Sequence, residues 1–140
     1  MAWLMVGALI LRLLVAWADY GFVATDEHNH VLVDAVPAQR VPGAGSVVEK
    51  SGVRSPVPRL FIYQLGQTAF RLGLEAPINQ IRWIYAVLGA LSLLSVWAVW
   101  RLYEGVGQTE WGTHAVVWSG FHFLAVFLST RALLENMAAP

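Results

Sequence analysis

The sequence predicts an all-α polytopic membrane protein, with about three transmembrane helices and a long extracytoplasmic loop that carries amphipathic surface helices. Composition is the first observation, because 57% of the 140 residues are hydrophobic and only 13% are charged. In a soluble domain about a quarter of the residues are charged. The other two observations are a pair of apolar stretches of membrane-spanning length and a clustering of charges outside them. Together they exclude an ordinary soluble domain and a disordered chain.

Charge balance and cysteine content exclude further classes of protein. Nine basic and nine acidic residues leave no net charge, so we expect no nucleic-acid partner. The sequence contains no cysteine, which excludes a disulfide scaffold and metal sites built on thiolates. The expected partners are therefore membrane lipids and not nucleic acid.

The two stretches of membrane-spanning length lie in the second half of the chain. Residues 112–130 are nineteen positions without a formal charge, and residues 83–100 are eighteen. About 20 residues cross the roughly 30 Å hydrocarbon core. Trp83 begins the earlier stretch while Trp97 and Trp100 end it, and tryptophan is enriched at both membrane interfaces. A buried helix of a soluble protein is the alternative, but no polar face is present to cover it.

A third apolar stretch, residues 1–18, contains Arg12. An arginine at the middle of a transmembrane helix costs about 2.5–3.5 kcal/mol on insertion scales. We expect its side chain to snorkel towards the headgroups. A secretory signal is the alternative, since residues 16–18 (AWA) fit a small-x-small cleavage site. No basic residue precedes the apolar run and Arg12 interrupts it, so we favour a retained transmembrane helix.

The region between the first two spans has a different character. Residues 21–59 are rich in proline and glycine, which indicates short pieces rather than long helices. Residues 60–74 are apolar but interrupted by two glutamines and an arginine, so we predict an amphipathic helix on the membrane surface. We expect Gly73 to end that helix and Pro77 to prevent its continuation.

The predicted organisation follows from these segments. In order, it comprises a first transmembrane helix (1–18), an extracytoplasmic loop (19–82), a second transmembrane helix (83–103), a cytoplasmic turn (104–111), a third transmembrane helix (112–130) and the start of a further helix (131–140). If residues 60–74 also cross the membrane, the loop after the first span and the segment after Thr130 face opposite sides. The positive-inside rule opposes the proposed orientation, because the long loop carries six basic residues, although the rule weakens for loops near 60 residues.

The densest polar cluster is residues 25–30 (TDEHNH), about eight positions after the first span. A carboxylate such as Asp26 or Glu27 can take a proton from a hydroxyl nucleophile, which accelerates a reaction by about 10²–10⁴-fold. Alternatively, Asp26, His28 and His30 can bind a divalent cation such as zinc. The interpretation without a functional role is a solvated loop in which Asp26 caps a short helix, and composition favours it as much as the functional ones.

Two arginines outside this cluster are candidate phosphate ligands. Arg54 lies in residues 52–59 and can hold a phosphate through its planar guanidinium, whereas a headgroup anchor is the alternative. Arg131 follows the apolar run 112–130, where an interfacial anchor is the default interpretation. His114 and His122 fall inside that run, and packing between helices is favoured over a functional role.

Taken in order, these features resemble the N-terminal part of the GT-C superfamily of integral membrane glycosyltransferases. The resemblance is closest to the mannosyltransferases of glycosyltransferase family 22, which build dolichol-linked glycans and GPI anchors. The matching elements are LRLL at 11–14, TDEH at 25–28, GVRSP at 52–56, LGL at 72–74, Arg82, and STRAL at 129–133. The chain departs from the family pattern at Thr25, where proline is common, and at Val33, because the acidic residue expected there is Asp34.

The resemblance implies transfer of a hexose, mannose or a similar sugar, from a polyprenyl-phosphate donor to a glycan or lipid acceptor, with inversion. Asp26 would be the general base and Glu27 would assist it. His28, His30, Arg54 and Arg131 would bind substrate, the arginines at the lipid phosphate. No cofactor is implied with certainty, and a divalent cation is the one candidate.

The resemblance also bears on location and completeness. It implies an integral protein of a prokaryotic plasma membrane, or alternatively of the endoplasmic reticulum, with the Asp26 loop outside the cytoplasm. Members of the family are several times longer, so we expect this chain to be a fragment that is inactive alone. A small non-catalytic membrane protein or assembly subunit is the alternative function.

Overall fold

The structure is a computed structural model that describes residues 1–18, 56–122 and 125–126. These residues form helices and turns without strands, which confirms the predicted all-α class for this part of the chain. The helices are α1 (Ala2–Ala18), α2 (Pro56–Arg71), α3 (Pro77–Gly105) and α4 (Thr109–Phe121). Among them, α3 is long and apolar enough to cross a membrane, while α1 is apolar but shorter.

Helix α3 contains the predicted second span and extends it at both ends. Its 29 residues correspond to roughly 43 Å at about 1.5 Å per residue, more than the hydrocarbon core requires. Pro77 is its first residue. At this position a backbone N–H would have no acceptor within the helix, so the N–H that proline lacks costs nothing. The carbonyl of Ala76 accepts the first bonds, from the N–H groups of Asn79 (2.9 Å) and Gln80 (3.2 Å).

Glycine ends both α2 and α3 by the same backbone motif. After α2, the N–H of Leu74 donates to the carbonyl of Ala69 (3.0 Å) and that of Gly73 to Phe70 (2.9 Å). This Schellman arrangement needs a left-handed residue, and Gly73 has φ +82°. Gly107, with φ +72°, repeats the pattern after α3. The predicted stop at Gly73 is therefore confirmed.

The described residues fall into two compact units. Unit 1 contains residues 1–18, 86–122 and 125–126, and the described part of unit 2 is residues 56–85. In unit 2 the fully buried positions are mostly apolar. They are Ile62 and Ala69 of α2, and Gln80, Ile84 and Tyr85 of α3. Gln80 is the exception, a polar side chain inside this apolar group.

Small residues bring α1 and α4 together in unit 1. Each helix buries one residue in every four: Ala8, Arg12 and Ala16 on α1, and Gly112, Val116 and Gly120 on α4. A Cβ placed on Gly120 would lie 3.4 Å from the Cβ of Ala8. Such small-residue contacts are typical of helix pairs in membranes, where van der Waals packing between close backbones, and not the hydrophobic effect, favours association.

The outer surface of unit 1 is apolar, although its interior holds an arginine. Large apolar side chains are mostly exposed, including Trp3 (86%), Leu14 (61%), Leu94 (63%) and Trp118 (68%). Arg12, in contrast, is 1% exposed. Soluble monomers rarely leave such apolar surface uncovered. The distribution is the one expected where the surrounding medium is itself apolar.

The third predicted span, an uninterrupted helix over residues 112–130, differs from the structure. Helix α4 ends at Phe121, and His122 has extended backbone with φ −60° and ψ 127°. Helical backbone resumes at residues 125–126, and residues 127–130 lie outside the described part. In an uninterrupted helix the carbonyls of Ser119 and Gly120 would accept bonds from the N–H groups four residues later. In the structure both carbonyls accept hydrogen bonds from Arg12.

Gly112 lies where α4 approaches the end of α3, and alanine at this position is expected to destabilise unit 1. An added Cβ would be 2.9 Å from the Cβ of Tyr103 and 3.4 Å from a ring carbon of Trp100. Overpacking of this kind costs about 1–3 kcal/mol. The free energy of unfolding in detergent micelles measures the change. Gly105→Ala is the matched control, because no atom lies within 4 Å of its added Cβ; equal effects of the two substitutions would contradict the packing argument.

Candidate functional site

The site residues predicted from the sequence all lie outside the described part of the chain. They are Asp26, Glu27, His28, His30, Arg54 and Arg131. Their predicted roles stay predictions. The described residues contain two other groups of polar side chains that are buried, one in each unit.

The first group is centred on Arg12, whose predicted snorkelling to the headgroups is wrong. The side chain is buried inside unit 1. Its Nε donates to the Oγ of Ser92 (2.8 Å), and its Nη1 donates to the carbonyls of Gly120 (2.7 Å) and Ala8 (3.1 Å). Nη2 lies 3.4 Å from the carbonyl of Ser119 as a weaker bond. One guanidinium therefore connects α1, α3 and α4.

The charge of Arg12 is balanced by dipoles rather than by an acid. Its hydrogen bonds in the described residues go to carbonyls and one hydroxyl. Two of the carbonyls, those of Ser119 and Gly120, belong to the end of α4, where the helix dipole is negative. The hydroxyl of Ser92 donates in turn to the carbonyl of Gly89 (2.7 Å), which leaves its lone pairs to accept from Arg12. The arrangement suits a fixed structural cation, not a proton donor.

The second group lies at the start of α3 in unit 2. Gln80 is 0% exposed, and its Nε2 donates to the carbonyl of Leu74 (3.0 Å). Its Oε1 is buried without a hydrogen-bond partner, and so is the indole Nε1 of Trp83. Residues three apart share one face of a helix. A buried polar atom left unpaired costs about 1–3 kcal/mol, so this pair requires an explanation.

No family model, curated protein or solved structure matches this chain.

The two histidines of the third apolar stretch do not come together. His114 is exposed and its ring centroid lies 6.2 Å from that of Trp111. His122 stands at the break after α4, with its ring centroid 5.6 Å from that of Trp118. Across residues 1–18, 56–122 and 125–126 no three metal-ligating side chains are grouped as a metal site.

Sequence reasoning missed Ser92, Gln80 and the break after α4. One signal was present, because Arg12 shares its four-residue spacing with Ala8 and Ala16. Small residues flanking a charge on one helical face indicate a face turned towards another helix. The partners of that face are distant in sequence, and no local pattern identifies them.

Proposed function

We propose that this chain carries the acceptor-activating segment of a membrane glycosyltransferase that moves a hexose, mannose or a similar sugar, from a polyprenyl-phosphate donor to a glycan or lipid acceptor. The observation that carries the proposal is the order of TDEH at 25–28, GVRSP at 52–56 and STR at 129–131 along a largely apolar chain. The membrane location is supported by α3, which is long and apolar enough to cross a bilayer.

The proposed topology places α1, residues 83–103 of α3 and the α4 segment in the membrane and residues 19–82 outside the cytoplasm. The apolar outer surface of unit 1 supports it. The buried position of Arg12 supports it too, since charged side chains within a bilayer face the interior of a helix bundle. With three crossings, Asp26 and Arg131 are on the same side of the membrane.

In the proposed reaction Asp26 takes the proton of an acceptor hydroxyl while the hydroxyl oxygen attacks the anomeric carbon of the donor. The bond from that carbon to the phosphate oxygen breaks, and polyprenyl phosphate leaves with the electron pair. Arg54 and Arg131 stabilise the charge on the leaving phosphate. Glu27 orients the base, and His28 and His30 bind substrate hydroxyls. The displacement inverts the configuration of the sugar.

Helix α2 is proposed to contact the lipid part of the donor from the membrane surface. Four large apolar side chains on α2 or directly after it are partly exposed, namely Leu60 (38%), Phe61 (37%), Phe70 (42%) and Leu72 (61%). Leu72 directly follows the helix. These side chains offer an apolar surface of the kind that a polyprenyl chain binds.

Cysteine labelling tests the topology on which the site depends, because the chain has no native cysteine. Single cysteines replace His28, Gly107 and Asn136 and are exposed to a membrane-impermeant thiol reagent in sealed vesicles. We expect His28 and Asn136 to label from one side and Gly107 from the other. A cysteine at Leu94, exposed on α3, is the control and should stay unlabelled in lipid. Labelling of His28 and Asn136 from opposite sides would separate the two halves of the site.

A direct assay tests the activity. Membranes containing the longest reading frame that includes this chain are supplied with a radiolabelled polyprenyl-phosphate hexose and a glycan acceptor. The proposal expects labelled acceptor to form, and to form with inversion at the anomeric carbon.

A non-catalytic membrane protein, such as an assembly subunit, is the second candidate. The observation that favours it is the engagement of Arg12 in helix packing, which leaves this buried charge no chemical task. This candidate expects no transferase activity to depend on Asp26.

A further inference from the structure

The outward faces of α1 and α4 differ chemically, although both helices belong to unit 1. Helix α1 exposes Trp3, Ile10, Leu14 and Trp17 on the side away from its buried residues. Its tryptophans therefore stand at the two ends, with aliphatic side chains between them. This order is typical of a helix that faces lipid, because tryptophan is enriched at both membrane interfaces.

Helix α4 exposes Trp111, His114 and Trp118 instead, and we call these three residues the outer stripe. The two tryptophans are 66% and 68% exposed, and His114 is exposed as well. Spacings of three and four residues place the three side chains on one face of the helix. The buried residues of α4 lie on the opposite face. The outer stripe is thus the part of α4 that points away from unit 1.

The composition of the outer stripe is poorly suited to lipid. Indole and imidazole both carry nitrogen atoms that form hydrogen bonds, and hydrocarbon offers them no partner. A membrane interface accommodates Trp111, but Trp118 follows it by seven residues. At roughly 1.5 Å per residue, that places Trp118 about 10 Å further along the helix axis. Polar groups on such a face are typical of contacts between helices.

The outer stripe is complementary to itself, which identifies its partner as a second copy of this chain. Copies of one chain enter the membrane in the same orientation, so a two-fold axis between them runs along the membrane normal. On that axis α4 packs parallel to its copy, and each residue of the outer stripe faces itself. A neutral imidazole has one donor and one acceptor, so two copies of His114 satisfy each other.

We propose that the outer stripe of α4 is the interface of a homodimer. The two copies of His114 hydrogen-bond to each other, and Trp111 and Trp118 pack against their own copies on either side of this pair. The spacing of three and then four residues is that of the seam in a two-stranded coiled coil. The dimer requires α4 to lie in the membrane, as in the proposed topology, but it does not depend on the transfer reaction.

Single cysteines test the surface, because the chain has none of its own. Chains carrying Trp111→Cys or Trp118→Cys are oxidised with copper phenanthroline in vesicles of high lipid-to-protein ratio, and covalent dimers are measured by denaturing electrophoresis. Leu14→Cys is the matched control, since Leu14 is similarly exposed (61%) on the outward face of α1. We expect extensive covalent dimer from both stripe positions and little from the control.

Sedimentation equilibrium in density-matched micelles measures association without a covalent bond. We expect the full chain at twice its mass of 15.4 kDa. His114→Leu removes the donor and the acceptor and should weaken the dimer about three- to tenfold, the effect of a hydrogen bond between membrane helices. Thr113→Val is the matched control at the neighbouring exposed position, where the hydroxyl bonds to the carbonyl of Thr109 within α4 (3.0 Å). It should leave the dissociation constant unchanged, with both variants folded by far-UV circular dichroism.

Three results would overturn the dimer interface. A monomer in both experiments would assign the outer stripe to lipid headgroups, to a later segment of the chain or to a different membrane protein. Equal cross-linking through Leu14→Cys would indicate random collision. A dissociation constant unaffected by His114→Leu would remove the histidine pair. The proposed transfer reaction fails separately, when Asp26→Asn retains activity, and that result leaves the dimer in place.

Discussion

Replacing Arg12 with alanine is expected to lower the free energy of unfolding of unit 1 by about 2–4 kcal/mol. The substitution removes the short bonds to Ser92 (2.8 Å) and Gly120 (2.7 Å). It also removes the bonds that Arg12 donates to the carbonyls of Ser119 and Gly120 at the buried end of α4. Unfolding in mixed micelles, followed by far-UV circular dichroism, measures the loss.

Two comparisons make the Arg12 result specific. Arg101→Ala removes an arginine that is paired with Glu104 at the surface, with a side chain 60% exposed, and should change stability by less than about 0.5 kcal/mol. Arg12→Lys should be intermediate, because an ammonium keeps the charge but lacks the planar fork that reaches α3 and α4 together. An Arg12→Ala protein as stable as the unsubstituted chain would contradict the three-helix contact.

Replacing Asp26 with asparagine is expected to reduce hexose transfer by about 10²–10⁴-fold, since removal of a general base forfeits this factor. The amide is close in size to the carboxylate and cannot accept the proton of the acceptor hydroxyl. The measurement is the rate of transfer from a radiolabelled polyprenyl-phosphate hexose in membranes that contain the longest reading frame including this chain.

Asp19→Asn is the matched control for this prediction. It makes the same chemical change shortly after α1, at a residue without a role in the proposed reaction. We expect transfer by Asp19→Asn to stay near the original rate, with both variants expressed equally. Transfer that survives Asp26→Asn at the control rate would remove Asp26 from the mechanism and favour the non-catalytic alternative.

Features with a local cause were predicted well from the sequence. Gly73 ends α2 as expected, because a left-handed residue after a helix is a requirement that glycine meets at no steric cost. Helix α3 was expected from its uncharged run, and the structure extends the predicted span to Pro77–Gly105. In both cases the relevant neighbours lie within a few positions.

Features with distant partners were not predicted. Whether Arg12 points to the headgroups or inwards depends on Ser92 and Gly120, which are 80 and 108 positions away. The carbonyls at the end of α4 likewise bond to a side chain of another helix. Hydropathy counts residues along one segment, so it contains no information about either contact.

The separation along the sequence between Arg12 and its acceptor Gly120 has a consequence for the synthesis of the protein. Gly120 is translated 108 residues after Arg12. At about 5–20 residues per second, the interval is roughly 5–20 s. Throughout this time the guanidinium of Arg12 lacks its acceptor at the end of α4. A nascent chain halted before Gly120 should therefore keep α1 accessible to modification from the aqueous side, and a longer nascent chain should protect it.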